Sequence, residues 1–98
     1  VNRPRPHYSW GDGGNGWRLR HFFNNDMLRI NRARRPHFIV GGYFPHQYVT
    51  YLQPIPPEVI TYLPPVPPGY AMGYYDGYTV VYDPATYLIV SVLDLFRY

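Results

Sequence analysis

Tyr70-Ala71-Met72-Gly73-Tyr74-Tyr75-Asp76-Gly77-Tyr78-Thr79-Val80-Val81-Tyr82-Asp83-Pro84-Ala85-Thr86-Tyr87-Leu88-Ile89-Val90-Ser91-Val92-Leu93 reads as three strands joined by two tight turns. Asp76-Gly77 sits between aromatic and β-branched flanks, the setting of a two-residue hairpin turn. In Asp83-Pro84-Ala85-Thr86 the proline presets φ for the first central position of a turn, and the aspartate offers a local hydrogen bond. Residues 70–75, 78–82 and 87–93 are therefore predicted as an antiparallel meander spanning 70–93. Three strands are the minimum for an independently stable sheet, so the fold class is mainly β and small.

Immediately upstream is a repeat. Val49-Thr50-Tyr51-Leu52-Gln53-Pro54-Ile55-Pro56-Pro57 recurs eleven residues later as Ile60-Thr61-Tyr62-Leu63-Pro64-Pro65-Val66-Pro67-Pro68. Proline fixes φ and removes a backbone donor, so neither block suits a central strand or a helix interior. Residues 49–57 and 60–68 are predicted as polyproline-II arms, which expose carbonyls and side chains for packing or docking. Residues 48–52 alternate in a way that fits an edge strand entering the first arm.

Further toward the N-terminus the signals weaken. Phe38-Ile39-Val40, closed by Gly41-Gly42, reads as a short strand. Residues 21–35 carry Phe23, Met27, Ile30 and Arg34 at loosely helical spacing, which predicts a short helix stopped by Pro36. Residues 1–17 read as extended, with Gly11-Asp12-Gly13-Gly14-Asn15-Gly16 a flexible connector between Trp10 and Trp17. The organisation expected is an arginine-rich arm over 1–35 and a β domain over 36–98.

Composition narrows the function classes. The 98 residues make one small domain with a thin core, and twelve prolines and nine glycines remove many positions from regular structure. Twelve tyrosines supply burial in its place, each with a hydroxyl for a rim hydrogen bond. The chain has no cysteine, which excludes disulfides and thiolate metal sites. Residues 1–35 carry +6 and residues 36–98 carry −3, and every basic residue is arginine. Arginine favours planar contacts to carboxylates, phosphates and ring faces. The chain begins at Val1 rather than Met, an expected mark of signal-peptide removal and of a periplasmic or extracellular location.

Residues 63–98 resemble the C-terminal domain of the RcnB-like family of bacterial periplasmic proteins, named for a nickel and cobalt homeostasis factor. The likeness lies in Leu63-Pro64-Pro65-Val66-Pro67-Pro68-Gly69-Tyr70, in Gly77-Tyr78-Thr79-Val80-Val81-Tyr82 and in Asp83-Pro84-Ala85-Thr86-Tyr87-Leu88-Ile89-Val90-Ser91-Val92. Tyr87 stands where the family usually has Gly, and Ala71-Met72 where it usually has Trp and a basic residue. The resemblance implies a small β domain outside the cytoplasm and, as one alternative, a role in nickel or cobalt homeostasis.

The chemistry-bearing residues point to binding rather than catalysis. Ser9 and Ser91 lack a nucleophile-elbow context, and Asp76 and Asp83 occupy turns. The glycine-rich segment lacks the Lys-Ser/Thr of a phosphate loop. His37 and His46 are the weak metal candidates, able to converge with Asp26 or Glu58 only if the Gly-Gly turn brings them together; the plain reading is loop histidines, and no cofactor is expected. Partner contacts are expected from Arg3, Arg5, Trp10, Trp17, Arg18, Arg20, Tyr51 and Tyr62, since arginine and large aromatics dominate interface energetics. A non-catalytic structural or interaction protein docking on a larger assembly is the expectation; polyanion or nucleic-acid binding by the basic arm is the other alternative.

Overall fold

A computed structural model of the chain describes residues 6–11 and 13–97. Four antiparallel strands form one sheet in the order β1 (Gln53–Pro54), β2 (Ala71–Tyr75), β3 (Tyr78–Tyr82) and β4 (Ile89–Asp94). The meander lies where the turn chemistry placed it. Asp76 and Gly77 take φ of 53° and 84°, as a hairpin turn of this class requires. The expected edge strand over 48–52 is displaced: residues 46–49 form a helical turn, and the strand falls on Gln53–Pro54. Gln53 and Pro54 pair with Tyr74 and Gly73 at the sheet edge, where a proline without an N–H is tolerated.

The last strand starts later than its apolar run suggests. Tyr87 has φ of 63°, a left-handed conformation that stops residues 83–87 from continuing the ladder. Val81 pairs with Ser91 but Tyr82 with Ile89, so Val90 is an extra residue in a bulge. Val90 packs there with Tyr8 and Val81.

Both faces of the sheet are covered, which is why Tyr78, Thr79, Val80 and Val81 are all buried. On one face Tyr74 joins Leu19, Phe23, Met27, Ile55, Val59 and Leu95. On the other, Tyr78 and Val80 pack with Phe38, Phe44 and Ile89. The alternation of side chains along β2 and β3 sends successive residues to opposite faces, Val81 packing with Tyr8 and Val90 in a third cluster.

The expected strand over 38–40 is absent. Gly42 donates to the Ile39 carbonyl at 3.1 Å and Gly41 has φ of 92°, so the segment turns; Gly41 and Gly42 then bond to Ile89 at the start of β4, and Phe44 to Tyr87 just before it. The turn leaves Ile39 and Val40 exposed while Phe38 and Phe44 enter the core.

The repeat also encodes a pair of helical turns. Helical turns α3 (His46–Val49) and α4 (Pro57–Ile60) lie eleven residues apart, each preceded by an extended proline, Pro45 (φ −62°, ψ 135°) and Pro56 (φ −62°, ψ 144°). Residues 49–57 therefore begin in one helical turn, cross the β1 edge and end in another. The fixed φ of proline suits the first turn of a helix as well as polyproline II, and the pattern alone does not choose between them. In each copy the Tyr-Leu pair closes the turn: Tyr51 and Tyr62 face solvent, Leu63 is buried and Leu52 is half-buried.

The N-terminal third differs most from expectation. Helix α1 (Gly13–Phe22) runs through the glycine-rich segment, and its hydrogen bonding continues through Phe23 into α2 (Asn24–Met27), with Phe23 N to Leu19 O at 3.0 Å and Met27 N to Phe23 O at 2.9 Å. A 3₁₀ turn follows at Arg32–Arg34. Residues 13–27 thus take part in the core. Leu19, Phe23 and Met27 recur every fourth residue and all three are buried against Tyr74 and its neighbours.

Candidate binding surfaces

Two surfaces hold four of the eight residues expected to bind a partner, one surface at each copy of the repeat. The first lies between α1 and α4. Asn15 is buried and its side-chain amide donates to the Trp10 carbonyl at 2.9 Å, while its Oδ1 accepts from Arg18 Nη1 at 2.8 Å. This fixes the Arg18 guanidinium, whose carbon lies 4.3 Å from the centre of the Tyr62 ring. Such a cation over a ring face is attractive by itself and leaves the outer face of both groups for a partner. One helical position away, Trp17 stacks on His21 with ring centres 5.2 Å apart and remains 59% exposed.

The second surface is an open groove of about 510 Å³ lined by Asp26, Arg29, Arg34, Tyr51, Tyr75 and Asp76, with Ile30, Asn31 and Gln53 completing the wall. Its floor is rigid. Tyr75 stacks on Tyr48 with ring centres 5.0 Å apart, and the buried Tyr74 hydroxyl donates to Asp26 Oδ2. Burial, reinforced by the neighbouring Asp26 carboxylate, pushes the Tyr74 hydroxyl far above its ordinary pKa, so it stays a donor. Burial also raises the Asp76 carboxyl, against the opposing pull of Arg35.

The remaining expected binders divide as follows. Trp10 is half-buried, edge-on to Tyr8 at 5.0 Å and packed on the core, so it serves the fold. Arg20 is exposed and outside the Arg18–Tyr62 contact. Arg3 and Arg5 lie outside the described residues. His37 lines a shallower groove with Tyr78, Val92, Asp94 and Arg97, whereas His46 stands edge-on to Tyr87 at 5.8 Å. Among the described residues no three His, Asp or Glu side chains are grouped to hold a metal ion.

Comparison with family models, with curated proteins and with solved structures finds no match. Among the described residues no helix is long and apolar enough to cross a membrane.

The groove was missed from sequence, although half its signal was visible. The repeat points to Tyr51, whereas Arg34 lies in the 3₁₀ turn opened by the Asn31 side chain accepting from Ala33 N at 3.1 Å, and Arg29 in the turn that ends α2, where its N–H donates to the Asp26 carbonyl at 3.0 Å.

Proposed function

We propose that this chain is a non-catalytic interaction module of an extracytoplasmic assembly, docking on a protein partner through the surface shared by α1 and the second repeat copy. The observation that carries the proposal is the exposure of Tyr62 (58%) against an arginine already fixed in place, with Trp17 (59%) exposed at the preceding position of α1. Large aromatics and arginine held without much residual freedom are the usual anchors of protein interfaces. Phe22 and Ile60 are exposed on the same two elements and extend the apolar area. Residues 64–67, which carry no helix or strand, act in this reading as a polyproline-II rim of the surface.

The extracytoplasmic location rests on the RcnB-like resemblance of residues 63–98. Affinity purification of the full chain from its native envelope or secreted fraction, alongside the double variant W17A/Y62A, tests the docking surface. A defined partner should be retained by the wild type and lost by the variant. Equal recovery by both rejects this surface, and saturable nickel or cobalt binding with no protein partner would favour metal homeostasis instead.

A further inference from the structure

The second groove has features that its role in the fold does not use. Its two acids are engaged from within: Asp26 accepts from Tyr74, and Asp76 lies beside Arg35, whose guanidinium also donates to the Asp76 carbonyl at 3.4 Å. Its two exposed arginines are not. Among the described residues the ion pairs are Arg35–Asp94 and Arg97–Asp94, and the cation–ring contacts involve Arg18, Arg32 and Arg35. Arg29 and Arg34 therefore line a concave surface with no carboxylate or ring partner among the described residues. The rigid, stacked Tyr75 and the exposed Tyr51 lie in the same wall.

We infer that this groove binds an acidic segment of a protein partner, with carboxylates on Arg29 and Arg34 and an apolar or aromatic side chain against Tyr51 and Tyr75. Charge complementarity names the occupant: two guanidiniums without internal partners match side-chain carboxylates, which they bind through paired N–H donors. The acids favour a peptide over a dense polyanion. Asp26 and Asp76 would repel a continuous row of phosphates or sulfates, whereas a peptide brings backbone N–H groups for Asp26 Oδ1 and for the Gln53 side-chain carbonyl. Recognition runs through side chains rather than strand addition, because β1 is two residues long and Pro54 offers no N–H at that edge. The inference deepens the docking proposal, on which it rests, by giving the partner a chemical character and a second point of attachment. Two weak sites on one partner multiply rather than add.

The test is a selection from a displayed random heptapeptide library on the immobilised full chain, followed by anisotropy titration of the selected peptides. The expected peptides carry at least two Asp or Glu with an aromatic residue. They should lose about tenfold or more in affinity on R29Q/R34Q, and a similar factor between low and high salt. Arg29 and Arg34 are exposed, so the variant should keep the wild-type circular dichroism and melting temperature. Affinity should be unchanged in W17A/Y62A, which separates this groove from the first surface: failure of one leaves the other measurable. Peptides without acidic enrichment, or peptides bound equally by R29Q/R34Q, overturn the inference. So does heparin or single-stranded DNA that binds through Arg29 and Arg34 more tightly than any acidic peptide.

Discussion

Arg35 shows how one charged side chain is kept inside so small a protein. Its side chain is 9% exposed and forks onto Asp94, with Nη1 to Oδ1 at 3.0 Å and Nη2 to Oδ2 at 2.8 Å. The Tyr78 and Phe96 rings lie 4.3 and 4.5 Å from the guanidinium carbon. For Asp94, burial raises the pKa, but the Arg35 fork, the Phe96 N–H and the charges of Arg35 and Arg97 outweigh it and hold the carboxyl below the usual range. A depressed native value means that the unfolded chain binds the proton more readily. The contribution of Asp94 is therefore complete above an unfolded pKa of about 3.9 and is lost as pH falls through the lower native value. Asp94→Asn, which leaves Arg35 buried and underpaired, should cost about 2–3 kcal/mol in denaturant melts at neutral pH, and much less at the acid end of the native range. Asp76 has the opposite sign. Its raised native pKa gives a contribution that is present at acid pH and lost as pH rises from about 4 through the native value. Asp76→Asn should raise the melting temperature modestly at pH 7, since asparagine also tolerates the φ of 53° there, and the gain should vanish near pH 3. A loss of stability at pH 7 would show that the attraction to Arg35 dominates.

At the scale of elements, α1 is the sharpest case of tertiary packing overriding local preference. Gly13, Gly14, Asn15 and Gly16 are poor helix formers, and helices this short are marginal alone. Burial of Leu19 and the Asn15 bridge from the Trp10 carbonyl to Arg18 hold the helix in place. Leu19→Ala should cost about 2–5 kcal/mol and Asn15→Ala about 1–2 kcal/mol, each measured by urea unfolding; values near zero would mean that α1 is not held by these contacts. The difference in legibility follows from the same physics. The hairpin at Asp76-Gly77 is readable because its turn is specified by two adjacent residues, and strand 78–82 and the body of the last strand (predicted over 87–93, found over 89–94) because their apolar runs are local. The helix over 13–22 was not, because its stabilising partners are Trp10, Tyr74 and Leu63, up to fifty-five residues away. The repeat was legible as a repeat but not as two helical turns, since proline's φ serves both conformations. Arg18 and Tyr62 are each expected from the sequence to face a partner, while their contact with each other is not legible there, because it depends on the helix over 13–22.

For the molecule as a whole, the N-terminal segment is a structural tie across one face of the sheet. Tyr8 is 5% exposed; its hydroxyl donates to the Pro64 carbonyl at 2.7 Å and its own carbonyl accepts from Ser91 Oγ at 3.1 Å. It thus links the second repeat copy to β4, covering Val81 and the bulged Val90. Burial raises the Tyr8 pKa, in keeping with a hydroxyl that stays protonated as a donor. Removing residues 1–11 would uncover Val81 and Val90, leave Pro64 and Ser91 without these partners, and strip α1 of the Trp10 carbonyl that Asn15 holds. In a chain of 98 residues, whose total stability is expected to be about 5–10 kcal/mol, the loss of one buried aromatic and these bonds should amount to about 3–5 kcal/mol. The truncated chain should melt well below the full one and expose apolar surface to a fluorescent dye. Tyr8→Phe should lose only about 1 kcal/mol, because it keeps the ring and forfeits the hydroxyl bond. A truncated chain that melts with the full one would return the segment to the role of a free attachment arm, and its effect on partner binding would then be read without a stability correction.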